Sequence, residues 1–364
     1  MRILTITGIR PDFIRMSKIF KKFDENFDHI LVHTGQHYDK MLSDVFFEEL
    51  EIRKPDYNLE IGGPGKEHFH QTADLSVKII ELIRNEKLDP DLICFLGDSN
   101  SVVSAVALKK EGYTIAHIEA GMRSYDRRMF EETNRVVCDH CSEYLFVYHD
   151  NYRRKAELEH INPDNIFVVG NTIVEVSQEL QTKLLHEPKK NSQIILDIHR
   201  PENFNDRIRL VNIMTYANQM SIAHGLPVKM LNFGRTEQKL KEWGISLGGV
   251  ELVPLMSYKD YVESVYHSKF IISDSGTAQE EPCLFQTPVI VPRDYTERPE
   301  SVVHHCSKMI DVNFVNHSTW NECRIYLEDI ESGKITPRTN WLGEGKTSEL
   351  IVEKIKELYK EKDE

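Results

Sequence analysis

The stretch Met1-Arg2-Ile3-Leu4-Thr5-Ile6-Thr7-Gly8-Ile9-Arg10-Pro11-Asp12-Phe13 reads as a strand that turns directly into a helix. Ile3 to Thr7 is apolar and β-branched, Gly8 permits a tight turn, and Pro11 suits the first helical position, where no backbone donor is needed. The pattern recurs. Strand-like runs at His29 to His33, Leu92 to Leu96, Thr114 to Ile118, Gln193 to Asp197, Pro227 to Leu231 and Phe270 to Ser273 alternate with amphipathic stretches. Such alternation predicts an α/β fold: two doubly wound, Rossmann-like domains with parallel sheets, facing a cleft. The run Ile166-Phe167-Val168-Val169 stops at Gly170, which divides the chain into domains over 1–170 and 171–345. The final segment, Ser348 to Lys360, sets Leu350, Ile351, Ile355 and Leu358 along an amphipathic helix.

Composition removes several classes of function. With 364 residues and 40% hydrophobic content, the chain is too long for one small core and too apolar for disorder. The 45 basic and 58 acidic residues leave a net charge of -13, which argues against nucleic acid as a partner. An anionic substrate therefore needs locally placed arginines. No apolar run approaches the roughly 20 residues of a membrane span, and no cleavable signal precedes the first strand, so a cytoplasmic protein is expected. The six cysteines are sparse and read as reduced thiols. Cys138-Asp139-His140-Cys141 has metal-like spacing, but a structural zinc needs a second ligand pair, for which His304-His305-Cys306 is the dense candidate. Thiols on adjacent helical turns explain the spacing as well, and no metal is expected.

Chemistry-bearing residues gather at predicted strand ends, where open α/β sheets bind ligands. Arg10 sits beside a helix N-terminus, able to meet a phosphate or to remain a surface arginine. The segment lacks G-x-G-x-x-G, so no nicotinamide dinucleotide is expected. Gly62-Gly63-Pro64-Gly65-Lys66 continues with Glu67 where a phosphate loop needs Ser or Thr, and reads as a mobile loop. Asp98 and Glu119 close two further strands. In Phe130-Glu131-Glu132-Thr133-Asn134-Arg135, Glu131 and Arg135 share a helical face, as part of a site or as an ordinary surface pair. His199, in Asp197-Ile198-His199-Arg200-Pro201-Glu202-Asn203, is a structural or functional imidazole at a strand tip. Ser273-Asp274-Ser275-Gly276-Thr277 reads as a strand, a small-residue turn and a helix start. Backbone N–H groups at Ser275 and Gly276 could cradle a diphosphate, and Glu281 could accept both hydroxyls of a ribose.

Taken together, the chain resembles the non-hydrolysing UDP-N-acetylglucosamine 2-epimerase family. The resemblance rests on Gly8-Ile9-Arg10-Pro11, Thr34-Gly35-Gln36-His37, Gly97-Asp98, His117-Ile118-Glu119-Ala120-Gly121, Glu131-Glu132-Thr133-Asn134-Arg135, Gly170-Asn171-Thr172, His199-Arg200-Pro201-Glu202-Asn203, Asp274-Ser275-Gly276 and Thr296-Glu297-Arg298-Pro299-Glu300 in that order. It implies the two-domain fold of B-type glycosyltransferases, a homodimer, UDP held mainly by the second domain, and residues 346–364 crossing back onto the first. It also implies epimerisation at C2 by elimination and re-addition of UDP, without cofactor, in the supply of sugars for cell-surface polysaccharide. Asp98, Glu119, Glu131 and His199 would carry the chemistry, and Arg10, Arg135, Ser275, Gly276 and Glu281 would bind the UDP-sugar.

Departures from the family pattern point to its branches acting on modified sugars. Ile9 and Asp12 replace the family's Thr and Glu, and Asn232-Phe233-Gly234-Arg235-Thr236 stands where many members have a His-Pro pair. His68-Phe69-His70-Gln71-Thr72 replaces the Arg-Gln-Thr-Leu run of members activated by their own substrate. The competing readings are a hydrolysing epimerase, a B-type glycosyltransferase and a non-catalytic nucleotide-sugar sensor. The first usually opens on a different turn, the second does not need the Glu119, Glu131 and Arg135 set, and the third would lose the acids.

Overall fold

The computed structural model describes residues 1–35, 44–63, 67–313 and 317–363. The sequence motifs at Gln36-His37 and Pro64-Gly65-Lys66, and the mobile-loop reading of the latter, lie outside the described residues. The chain divides into two compact units: Met1–Val176 with Trp341–Glu364, and Ser177–Asn340. The division falls inside the helix Thr172–Leu184, just past Gly170.

The first unit holds the strands β1 (Arg2–Thr7), β2 (Asp28–His33), β3 (Tyr57–Asn58), β4 (Leu92–Leu96), β5 (Ile115–Ile118), β6 (Tyr144–Val147) and β7 (Ile166–Val168). They form one sheet in the order β3-β2-β1-β4-β5-β6-β7, and every pairing is parallel. The second unit holds β8 (Gln193–Asp197), β9 (Val228–Leu231), β10 (Val250–Val253), β11 (Ser268–Ser273), β12 (Val289–Val291) and β13 (Ser307–Met309). Their order is β10-β9-β8-β11-β12-β13, again parallel throughout. Both sheets are the doubly wound α/β type that the alternating runs predict.

Each sheet reverses its winding direction beside its first strand, so β1 lies between β2 and β4, and β8 between β9 and β11. Ligands of doubly wound sheets bind outside the carboxyl ends of strands at such a reversal. The strands read as continuous apolar runs because both faces are covered; β4 is buried at every position. Between β1 and β2, the helix Arg10–Asn26 buries Phe13, Met16, Phe20 and Phe23, a stripe with three- and four-residue spacing.

The C-terminal helix Thr347–Asp363 belongs to the first unit and packs against Arg10–Asn26. Ile351, Val352 and Ile355 form its buried stripe, whereas Leu350, expected to be part of it, is 42% exposed because it falls one position off that stripe. Lys356 Nζ donates to Asn26 Oδ1 at 2.6 Å and the Tyr359 hydroxyl donates to the Asp91 carbonyl at 2.7 Å. Among the described residues, no helix is long and apolar enough to cross a membrane. All six cysteines are free thiols.

Candidate active site

Three strand ends of the first unit present the predicted residues. At β1 the chain passes through Gly8 and Ile9 into the helix, with Pro11 in its first turn as expected. The half-buried Arg10 places its guanidinium 5.4 Å from the centre of the Phe46 ring. At β4, Asp98 accepts a hydrogen bond from Arg135 Nη2 at 2.5 Å, and its own carbonyl accepts from Asn134 Nδ2 at 2.8 Å. Arg135 reaches it from the helix Phe130–Cys141 and donates through Nη1 to Glu132 at 2.8 Å. Glu132 is itself fixed by the Ser124 and Tyr125 backbone N–H groups. Glu131, the residue singled out by four-residue spacing, lies half-buried in the first turn of that helix.

At β5, Glu119 is 2% exposed and adopts the left-handed backbone with φ of 69°, a conformation uncommon for a residue with a Cβ. Its carboxylate pairs with Arg15 Nη1 and accepts from the Tyr148 hydroxyl at 2.8 Å, which in turn contacts Thr172 Oγ1 at 2.9 Å. Arg15 also donates to Asp12 at 3.1 Å. A Cβ on Gly97 would stand 2.9 Å from Arg15 Nη2, so the glycine opens the space this guanidinium occupies under the end of β4. Burial pushes the Asp12 carboxyl up to about 7; Arg15 lowers it, while Asp98 and Glu119 raise it further.

A third buried set braces the same strand ends. His117 donates through one ring nitrogen to the Gly97 carbonyl at 2.7 Å and through the other to Asp139 at 2.6 Å, so the ring carries protons on both nitrogens. Asp139 also accepts from the Gly121 N–H at 3.0 Å and pairs with Arg123 at 2.7 Å.

In the second unit, β8 and β11 end side by side, with Asp197 opposite Ser273. His199 Nδ1 lies 2.8 Å from Asp197 Oδ1, and Phe233 covers its ring at 4.8 Å between centres. Burial opposes charge on this imidazole, but Asp197 and then Asp274 outweigh it and raise the pKa. Asp274 collects the His199 and Arg200 backbone N–H groups at 3.0 and 3.1 Å and Asn203 Nδ2 at 2.9 Å. Asp197, His199 and Asp274 are also the group with metal-ligand geometry among the described residues. Their carboxylate oxygens, however, already accept from the His199 and Arg200 backbone, Asn203, Ser273 and His199 Nδ1.

The turn after β11 differs from the helix start expected there. It is a three-residue 3-10 turn, Thr277–Gln279, followed by the four-residue helix Glu281–Leu284. Pro282 lacks the N–H that a longer run through this segment would require. The Ser275 N–H donates to Ser273 Oγ at 3.1 Å. A Cβ on Gly276 would meet Glu297 Oε1 at 2.6 Å, Arg298 Nε at 3.2 Å and Arg200 Nη2 at 3.6 Å. Only hydrogen fits there. Glu281 is buried and accepts from the Tyr258 hydroxyl at 2.6 Å; burial raises its carboxyl to about 7.

The structure thus gathers Asp98, Glu119 and Arg135 at adjoining strand ends of the first unit, and His199, Ser275, Gly276 and Glu281 in the second. Asp12, Arg15, Tyr148 and Asp197 escaped the sequence reading. The available signal was a charged pair, Asp12 and Arg15, set among the apolar residues Phe13, Ile14 and Met16 of an otherwise core-facing helix.

The family profile described as UDP-N-acetylglucosamine 2-epimerase matches residues 21–356. A UDP-N-acetylglucosamine 2-epimerase of Methanocaldococcus jannaschii is 33% identical, covering 97% of this chain and 98% of its own. A UDP-2,3-diacetamido-2,3-dideoxy-D-glucuronate 2-epimerase of Pseudomonas aeruginosa is also 33% identical, covering 83% of this chain and 85% of its own. The crystal structure of the Methanocaldococcus jannaschii enzyme in complex with UDP-GlcNAc and UDP has a TM-score of 0.86 at 31% identity, over 98% of this chain and 99% of that one. The chain belongs to the UDP-N-acetylglucosamine 2-epimerase family, the family its ordered motifs resemble.

Proposed function

We propose that the protein is a non-hydrolysing epimerase that inverts C2 of a UDP-linked 2-acetamido sugar by eliminating and re-adding UDP. The observation that carries this reading is the pair of carboxylates at neighbouring strand ends, Asp98 and Glu119, each tied to a different guanidinium. The C2 hydrogen of such a sugar has no adjacent carbonyl, so its removal needs a group that departs with an electron pair. The C1–O bond breaks toward the β-phosphate oxygen of UDP while a carboxylate takes the C2 proton, leaving a C1=C2 glycal. Proton return to the opposite face of C2 and attack of the UDP oxygen on C1 complete the inversion.

Asp98, Glu119 and Glu131 supply the acid and base groups. Arg135 holds Asp98 in place. Arg10 and His199 answer the charge of the diphosphate beside the Ser275-Gly276 turn, and Glu281 takes the ribose hydroxyls. Both the altered residues at Phe69 to Thr72 and Asn232 to Thr236 and the likeness to an epimerase of a diacetamido uronate favour a further-modified sugar. We place the enzyme, by the same resemblance, in the cytoplasm as a homodimer supplying cell-surface polysaccharide.

The test separates binding from chemistry. Asp98→Asn, Glu119→Gln and Glu131→Gln should each lower turnover by about a hundredfold or more, while saturating UDP still raises the melting temperature of each variant. Arg10→Ala should reduce that rise. A wild-type melting temperature unmoved by UDP would refute the nucleotide assignment, and undiminished turnover in all three carboxamide variants would refute the acid and base assignment.

A further inference from the structure

We propose that Asp197 is a positioning residue that holds the His199 imidazole by Nδ1 and leaves Nε2–H free to donate to a diphosphate. This rests on the reading of the second unit as the UDP-binding part. Asp197 closes β8 and is 4% exposed, whereas the His199 side chain is 31% exposed. Asp197 Oδ1 lies 2.8 Å from His199 Nδ1, and among the described residues Nε2 has no hydrogen-bond partner. The ring is therefore gripped on its buried edge and open on the other.

The second oxygen of Asp197 shows what else the residue does. Oδ2 accepts from the Ser273 hydroxyl at 2.8 Å, and Ser273 Oγ accepts from the Ser275 N–H at 3.1 Å. One buried carboxylate thereby fixes both the imidazole and the turn that carries Ser275 and Gly276. Asp274, in contrast, spends its oxygens on the backbone of His199 and Arg200 and on Asn203, and its nearest approach to Nδ1 is 3.5 Å. It shapes the loop, and Asp197 orients the ring. An imidazole whose Nδ1–H is bonded to a carboxylate is committed to presenting Nε2, and the carboxylate stabilises the protonated form.

Among the described residues, the charged groups acting most strongly on the imidazole are Asp197 from β8, Asp274 from the end of β11 and the adjacent Arg200. Tyr261, from the helix Tyr258–Tyr266, is half-buried near Asp197, and desolvation and then Asp197 hold its hydroxyl pKa well above the usual value. The two carboxylates favour the imidazolium, and Arg200 opposes it. Removing the charge of Asp197 leaves the more distant carboxylate against the guanidinium.

Asp197→Asn is close to isosteric: its amide oxygen can still accept from Nδ1–H, and its amide nitrogen can donate to Ser273 Oγ. Two readouts decide the matter. Nitrogen-15 NMR of the ligand-free wild type should show both His199 ring nitrogens protonated at neutral pH, and in Asp197→Asn the ring should titrate at least about one pH unit lower. The affinity for UDP, followed by thermal shift, should fall about tenfold or more in the variant at alkaline pH and recover toward wild type in mild acid. A neutral wild-type imidazole at neutral pH would overturn the proposal even if the variant failed to fold. An unaltered titration with affinity lost equally at every pH would overturn it as well, and so would UDP binding that needs an added divalent cation. A wild type that does not bind UDP would instead refute the nucleotide reading, and the NMR titration would still judge Asp197.

Discussion

Asp12 lies one helical turn before Arg15, 1% exposed, with Oδ2 lacking any hydrogen-bond partner among the described residues. Burial lifts its pKa from 3.8 to about 7, against the pull of Arg15. A carboxyl that holds its proton more tightly in the native state than in the unfolded chain adds stability that is complete below its unfolded pKa. That contribution is lost as pH rises through the folded value. Asp12→Asn cannot ionise, so its unfolding free energy should gain on wild type by about 1 to 3 kcal/mol between about pH 5 and pH 8. Chemical denaturation at both pH values measures this, and a difference that does not change with pH would contradict it. Asp98, Glu119 and His199 could be singled out from the sequence because each closely follows an apolar strand-like run. Asp12, Arg15 and Asp197 could not, because their importance comes from burial and from partners far along the chain, such as Glu119 for Arg15 and Ser273 for Asp197.

The turn after β11 shows how an element acts through what it leaves out. Gly276 has an ordinary helical backbone, so alanine is permitted by torsion but not by space: its Cβ would stand 2.6 Å from Glu297 Oε1. Glu297 is 1% exposed and pairs with Arg293 at 3.1 Å, which limits its retreat. Gly276→Ala should cost about 1 to 3 kcal/mol of stability, the usual scale of overpacking, and should weaken the thermal shift produced by UDP. A variant with wild-type stability and wild-type UDP response would show that the turn is more yielding than this packing indicates. The apolar runs of β1, β4, β5, β8 and β11 made the strands legible before the structure. The two-residue β3 and the 3-10 turn Thr277–Gln279 were not, because elements this short have too few residues to show a period.

At the scale of the molecule, alternation of strand and helix was enough to give two doubly wound units, and the order of nine short motifs was enough to indicate the family. The return of the C-terminal helix to the first unit is set by long-range contacts, Ser348 to Glu175 and Lys356 to Asn26, which periodicity alone does not reveal. In the proposed mechanism UDP leaves C1 as C2 loses its proton. Incubating the enzyme with a panel of UDP-linked acetamido sugars in heavy water, and following C2 by proton NMR, reads out this step. Deuterium is expected at C2 of the epimerised product, together with slow release of UDP with a glycal and faster turnover of a further-modified sugar than of UDP-N-acetylglucosamine itself. Epimerised product that keeps its original hydrogen at C2 would contradict it.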